Sequence, residues 1–318
     1  MAMLAKLIEL LRGKLSEAVR ANLADGLLLS GGLDTSILAC LASRYSDPLA
    51  LTVSVGNSPD LMYARRAAKL FGLRHHIIRP GLDEYEAAAG HVIRELKTFD
   101  TMEVRGGTAV YLALLKAKEL GLSSLMTGDG GDELFAGYSF YLELDRRRLI
   151  SALRRTWRGM RFSSIPLAQS LGLRARLPYL HEELKRLAMG IDPSLKVRKE
   201  GSGIWGKWIL RKAFEDLITP ELAWRPKLHI SAGSGIDLLA EELASGIDVG
   251  LYGKLSKHYA EQDAVRLRDA EQLVYYRHFR KAYGPPANMG RGSKLCPACR
   301  ARARRSSVHC RFCGAYPI

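Results

Sequence analysis

Apolar residues recur at helical spacing from the start of the chain. Leu4, Leu7, Ile8, Leu11, Leu15, Ala18 and Val19 share one face, and this predicts an amphipathic helix over 3–24. The pattern then changes. Residues 26–29 form a short apolar run that stops at Ser30-Gly31-Gly32, as a buried strand entering a turn does, and 36–44 returns to helix. Residues 49–55, rich in β-branched side chains, read as a second strand. A helix over 63–71 closes at Gly72, and 75–78 is a third strand. Helices over 84–96 and 108–120 precede a fourth strand, 124–127, which ends at Gly128-Asp129-Gly130-Gly131. Strands alternating with helices predict an α/β fold with a doubly wound parallel sheet, whose ligands sit at the carboxyl ends of the strands. Both glycine-rich turns lie at such ends. From Tyr138 to about Tyr283 the spacing is mainly helical. Residues 284–293 read as a linker, and 294–318 as a small module of their own. The expected divisions are therefore 1–138, 139–283, 284–293 and 294–318.

No apolar run approaches the roughly 18–20 residues that span a bilayer. Lys6, Glu9, Arg12, Lys14 and Glu17 interrupt the first helix, so it lacks the unbroken apolar stretch of a signal peptide. A cytoplasmic protein without membrane partners is expected. The net charge of +15 is concentrated rather than spread. After Glu271 there is no acidic residue, while ten Lys or Arg residues follow from Arg277 to Arg311. A second cluster comprises Arg146, Arg147, Arg148, Arg154, Arg155, Arg158 and Arg161, of which Arg147, Arg154, Arg158 and Arg161 share a face if the segment is one helix. Concentrated patches of this kind fit a polyanionic partner such as RNA, against the plainer reading of a solvated basic surface. Asn and Gln are scarce, as in thermophilic chains.

The chemistry-bearing residues lie in the two turns. In Ser30-Gly31-Gly32-Leu33-Asp34-Thr35-Ser36, glycines let backbone amides approach a polyphosphate at the start of a helix, and the hydroxyls can donate to it. Asp34 cannot favourably face a bare phosphate, which implies Mg²⁺ between them. The loop lacks the Gly-Lys-Ser/Thr ending of a γ-phosphate-transferring loop. Around Thr127-Gly128-Asp129-Gly130-Gly131-Asp132-Glu133, three carboxylates crowd one strand end, and a bound metal would relieve their repulsion.

The first loop resembles the PP-loop of ATP pyrophosphatases, which cleave ATP between the α and β phosphates. The pair of loops resembles the synthetase domain of class B asparagine synthetases. Phe99–Thr108, Arg174-Ala-Arg176-Leu-Pro178-Tyr179-Leu180, Lys207-Trp-Ile-Leu-Arg211, and Ala223-Trp224-Arg225-Pro-Lys227 with Ser231–Gly235 extend the match in order from about residue 15 to 259. This resemblance implies a five-stranded sheet of the adenine nucleotide alpha hydrolase type. It implies that Ser30, Gly31, Gly32, Asp34, Thr35 and Ser36 hold phosphates and Mg²⁺, and that Leu29 and Val53 flank adenine. Thr127 and Gly128 would line the nucleotide. Asp129, where the family often has Glu, would be the base acting on the incoming amine, and Asp132 would bind metal. Lys207 and Arg105 would neutralise charge developing on the adenylate and pyrophosphate. The expected reaction is adenylation of a carboxylate, aspartate or a similar acid, followed by attack of ammonia. The alternative is the same chemistry on a carboxylate carried by a tRNA base.

Two features depart from the family. Whole class B enzymes begin with a glutaminase domain bearing an N-terminal Cys, whereas this chain starts Met1-Ala2 and enters the synthetase helix directly; free ammonia or a separate glutaminase subunit is expected to supply nitrogen. Cys40, within an apolar run, reads as a core residue. The tail carries Cys296-Pro-Ala-Cys299 and Cys310-Arg-Phe-Cys313, two knuckles spaced for four thiolates around a structural Zn²⁺. So short a module needs such a staple. His309 reads as a surface residue rather than a ligand. The tail would bind RNA or serve self-assembly, for example as a homodimer.

Overall fold

The computed structural model describes residues 2–318. The elements in chain order are α1 (Ala2–Ala21), β1 (Gly26–Leu28), α2 (Leu33–Ala42), β2 (Leu49–Val53), α3 (Pro59–Leu70), β3 (His75–Ile78), α4 (Leu82–Leu96), α5 (Thr101–Glu119) and β4 (Ser124–Met126). Next come α6 (Gly131–Phe135), a 3-10 turn at Ser139–Tyr141, α7 (Arg146–Gly159), α8 (Ser164–Ser170) and β5 (Arg174–Arg176). The chain continues through α9 (Glu182–Gly190), α10 (Pro193–Lys196), β6 (Arg198–Glu200), β7 (Gly203–Trp205), α11 (Trp208–Ile218) and α12 (Pro220–Ala223). It ends with α13 (Ile230–Ser234), α14 (Ile236–Ser245), α15 (Val249–Asp263), α16 (Ala270–Tyr283), β8 (Lys294–Leu295) and β9 (Arg302–Ala303). Among these described residues, no helix is long and apolar enough to cross a membrane.

Contacts divide the chain into two compact units: Met1–Thr52, Pro59–Ile78 and Lys116–Leu228 form the first, and Val53–Ser58, Arg79–Leu115 and His229–Ile318 the second. The sheet has the order β3-β2-β1-β4-β5, with β1 parallel to β2 and β4, and β4 parallel to β5. The chain thus winds outward from β1 to β3 and then restarts on the other side at β4. The strand order reverses between β1 and β4, and a sheet of this kind opens a crevice at that point, at the strands' carboxyl ends. The first unit's core packs Leu11, Leu15, Ala18 and Val19 of α1 with Ile37, Leu38 and Leu41 of α2 and Ile209, Leu210 and Phe214 of α11.

The second unit is built on α4, α14 and α16, with Phe99, Tyr276 and Phe279 at its centre. Cys296, Cys299, Cys310, Cys313 and Phe312 belong to that same cluster. The Phe99 amide donates to the Phe312 carbonyl (2.7 Å), and the Gln272 side chain donates to the Cys313 carbonyl (2.9 Å). The paired strands β8 and β9 therefore sit on a core that they share with α16.

Several boundaries differ from the sequence reading. Helix α2 begins at Leu33 rather than 36, so Asp34, Thr35 and Ser36 occupy its first turn. Helix α5 begins at Thr101 rather than 108. Gly106-Gly107 lowers helix propensity there, but a side chain at Gly107 would press on Val92 of α4, at 2.8 Å. Helix α7 ends at Gly159, so Arg161 does not continue its arginine face. β5 carries too short a pattern to read as a strand, and backbone pairing to β4 defines it.

Candidate active site

The phosphate loop is held by its own hydroxyls. Ser30 Oγ lies 3.1 Å from Thr35 Oγ1 and accepts from the Gly32 amide at 3.2 Å, while Thr35 Oγ1 accepts from the Ser30 amide at 3.2 Å. Gly31 has a φ of +67°, and a Cβ there would collide with the Tyr63–Ala64 backbone, so only glycine lets the loop pass α3. Leu29 is fully buried, and its amide donates to the Leu51 carbonyl.

Asp34 points toward the second loop. A Cβ on Gly131 would lie 2.7 Å from its carboxylate. One oxygen, Oδ2, accepts from Lys207 Nζ; the other, Oδ1, is buried without a hydrogen-bond partner, as is Ser36 Oγ. Lys207 Nζ also lies 2.6 Å from Asp132 Oδ1, which is 2.6 Å from Lys227 Nζ. Asp34, Asp132, Lys207 and Lys227 therefore form an alternating quartet of two carboxylates and two ammoniums where β1 and β4 end. Burial pushes the Asp34 carboxyl up, against the pull of Lys207. Burial acts the same way on Asp132, but its two ammonium partners outweigh it and bring that carboxyl down to about 2. Burial pushes Lys227 down, with Lys207 adding like-charge repulsion.

The backbone fixes this quartet. Lys207 has a φ of +54°, its amide donates to the Phe135 carbonyl at 3.0 Å, and a Cβ on neighbouring Gly206 would collide with the Ala136 carbonyl. A Cβ on Gly137 would strike Asp132 and Lys207. Arg211, buried beside Trp205, donates to the carbonyls of Gly206 (3.0 Å), Ala223 (2.6 Å) and Arg225 (3.1 Å). It thereby ties the turn before Lys207 to the turn before Lys227. Arg225 pairs with buried Asp60, lies over the Tyr63 ring and donates to the Ser30 carbonyl at 3.2 Å. Tyr179 donates to the Asp34 carbonyl at 3.2 Å.

Asp129 is half-buried beside this quartet and accepts from the Ser164 hydroxyl. Burial raises its carboxyl, while the hydrogen bond from Ser164 lowers it. Thr127 itself is buried, with its amide on the Arg176 carbonyl at 2.9 Å. Gly128 lets this turn approach α2, since a Cβ there would sit 3.2 Å from Asp34.

The first unit thus brings together Ser30, Gly31, Gly32, Asp34, Thr35, Ser36, Thr127, Gly128, Asp129, Asp132 and Lys207. Val53 and Arg105 belong to the second unit. There the Arg105 guanidinium is engaged by Glu271 and by Asp237 (3.0 Å). The sequence reading assigned no role to Lys227, Arg225, Arg211, Ser164 or Asp60. The first three lie within the segments that carry the family resemblance, but nothing local marks their partners.

The site residues fit Mg²⁺-ATP. A carboxylate oxygen and a hydroxyl are buried without partners in the first turn of a helix, where the dipole favours phosphate, and two ammoniums stand beside them. In the second unit, the four tail thiols are buried, with all sulfurs within 4.8 Å of one another. Cys296 and Cys313 are 3.6 Å apart at sulfur, as are Cys299 and Cys310. A tetrahedral zinc site with Zn–S near 2.3 Å requires about 3.8 Å, so the donor set fits that ion. His309 turns away from the thiols to Asp100, at 3.3 Å.

A profile of the family described as asparagine synthase matches residues 6–171 and 166–290. Asparagine synthetase [glutamine-hydrolyzing] 2 of Lotus japonicus is 31% identical over 287 residues, covering 82% of this chain and 48% of that protein. Asparagine synthetase [glutamine-hydrolyzing] of Triphysaria versicolor is 34% identical over 256 residues, 71% of this chain and 42% of its own length. Asparagine synthetase [glutamine-hydrolyzing] 1 of Saccharomyces cerevisiae is 31% identical over 280 residues, with shares of 71% and 48%. The chain spans about half the length of these curated relatives.

Proposed function

The chain belongs to the asparagine synthase family, and on that premise we propose that it is an AMP-forming, ATP- and Mg-dependent amide synthetase. The observation that carries this reading is the quartet of Asp34, Asp132, Lys207 and Lys227 at the ends of β1 and β4. The phosphate loop and the start of α2 bind the triphosphate. Asp34, through its free oxygen, and Asp132 would hold Mg²⁺, which would supply neutralisation of the phosphate charge.

A carboxylate oxygen of the acid attacks the α-phosphorus, and the bond to the β-phosphate oxygen breaks. Lys207, which is buried, and Lys227, at the exposed side of the quartet, stabilise the negative charge that collects on the departing pyrophosphate; the buried ammonium counts most. Ammonia then attacks the carbonyl carbon of the acyl-adenylate. The C–O bond to AMP breaks, and the nitrogen loses a proton to Asp129. Ser164 holds Asp129 in place for that transfer, and burial makes Asp129 a better proton acceptor than an exposed carboxylate.

Aspartate or a similar acid is the substrate that the family precedent favours, with ammonia as the attacking nitrogen. A second reading, amidation of a carboxylate on a tRNA base, is supported by the exposed arginines of α7. AMP formation from ATP, with Mg²⁺, ammonium and the acid present, tests the assignment. Lys227→Met should lower it by about 100-fold or more, in the range of a lost transition-state charge contact. A variant that folds and keeps wild-type AMP formation would remove Lys227 from the mechanism.

A further inference from the structure

Residues 146–181 hold nine arginines and no Asp or Glu. Elsewhere in the first unit, exposed guanidiniums do have partners: Arg66 pairs with Glu221, and Arg74 with Asp47 at 3.0 Å. On α7 only Arg146 and Arg148 have such partners, Asp192 at 2.7 Å and Asp145 at 3.4 Å. Arg147, Arg154, Arg155 and Arg158, together with Arg161 beyond the helix, are exposed and make no ion pair among the described residues. The fold does not need them. α7 is fixed through its opposite face, where Leu149, Ala152 and Leu153 are buried, and through its Asp145 cap. The phosphates of ATP do not need them either, because Lys207 and Lys227 already stand at the phosphate loop.

This arginine surface is braced against the acidic loop. Trp157 of α7 donates to the Glu133 carbonyl at 2.9 Å, and Ser164 of α8 donates to Asp129. The chain that joins the loop to α7 carries an aromatic step. Phe140 is 53% exposed and stacks on Tyr138, with ring centres 5.6 Å apart and planes 10° apart. Tyr138 in turn lies under Lys227, at 4.5 Å. An exposed aromatic ring beside a row of unpaired guanidiniums matches what single-stranded RNA requires: a face for a base to stack on, and cations for the phosphates. An acidic membrane would require apolar side chains among the cations, and α7 exposes no large hydrophobic residue.

We infer that α7, with Phe140, is a docking surface for single-stranded RNA and that the carboxylate activated at the neighbouring loop is carried on that RNA. The second half deepens the amide-synthetase reading and rests on it; the first half stands without it.

Binding of labelled total tRNA to the full chain tests the surface. Affinity should fall by about tenfold or more between 50 and 200 mM salt, as contacts to several phosphates dictate. The R154E/R155E/R158E variant should lose about tenfold or more, and Phe140→Ala about fivefold or more. Asp34→Asn should bind as wild type does, and circular dichroism checks that each variant folds. Absence of tRNA binding, a folded triple variant that binds unchanged, or preference for anionic phosphatidylserine vesicles over tRNA would overturn the surface. Pyrophosphate release from ATP with ammonium tests the second half. Release that requires tRNA supports it. Release with aspartate alone overturns it and leaves the binding result standing. No release with either, beside arginine-dependent tRNA binding, contradicts the synthetase reading and the second half with it, while the surface survives.

Discussion

Asp129 shows how a single methylene and a single hydroxyl bear on the chemistry. The family often places Glu at this position, and the shorter Asp129 reaches Ser164, a buried serine 35 residues further along the chain. Ser164 stabilises the ionised form of Asp129, whose pKa burial has already raised. In the proposed mechanism amide formation requires Asp129 ionised, so it should decline as pH falls through that raised value. Removing the hydroxyl removes a lowering contribution, so Ser164→Ala should move the acid limb of the amide-forming rate to higher pH. An acid limb that stays in place or moves to lower pH would separate Ser164 from Asp129, whatever the change in overall rate. Legibility at this scale follows sequence distance. The phosphate loop could be read because its donors and its carboxylate are contiguous. Lys227 could not be assigned because its partner Asp132 stands 95 residues earlier, and Arg211 because its acceptors are backbone carbonyls, which leave no trace in composition.

Elements gain their functional meaning from where they begin and end. Because α2 starts at Leu33, Asp34 and Ser36 lie in the first turn, among the amides that attract phosphate. The sequence reading placed the helix start at Ser36 because Gly31-Gly32 and the polar residues mask the first turn's periodicity. The four strands that it did identify each hold at least two adjacent apolar residues between turns. The fifth, Arg174–Arg176, is an edge strand of alternating polarity and only three residues, recognisable through its neighbour alone. The tail's knuckles were legible from spacing, but its placement was not. Phe312 and the four cysteines pack into the same cluster as Phe99 and Phe279, so the ribbon is part of the second unit's core. Cys299→Ser should therefore lose bound zinc and also expose the chain around Phe99 to proteolysis, with nucleotide binding unchanged. A metal assay, limited proteolysis and a nucleotide titration check the three parts. Full zinc content in that variant would refute the four-thiolate site.

At the scale of the whole molecule, the first unit holds one sheet, with its strand order reversing between β1 and β4, and both functional loops leave from those two strands. That topology was expected from the alternation of strands and helices, and it is what brings Asp34 to Asp132 across nearly a hundred residues. The grouping into two units was not legible. It depends on α5, whose first part packs in the second unit and whose end returns to the first. The family relationship covers the synthetase half of the curated relatives and leaves the acid and the nitrogen donor to experiment. The most direct measurement is to identify the nucleotide product. The full chain is incubated with α-labelled ATP, Mg²⁺ and ammonium, with aspartate or total tRNA as the source of carboxylate. The account predicts AMP and pyrophosphate, dependent on the carboxylate source and lost in Asp34→Asn. ADP and phosphate, or cleavage that Asp34→Asn leaves intact, would contradict it.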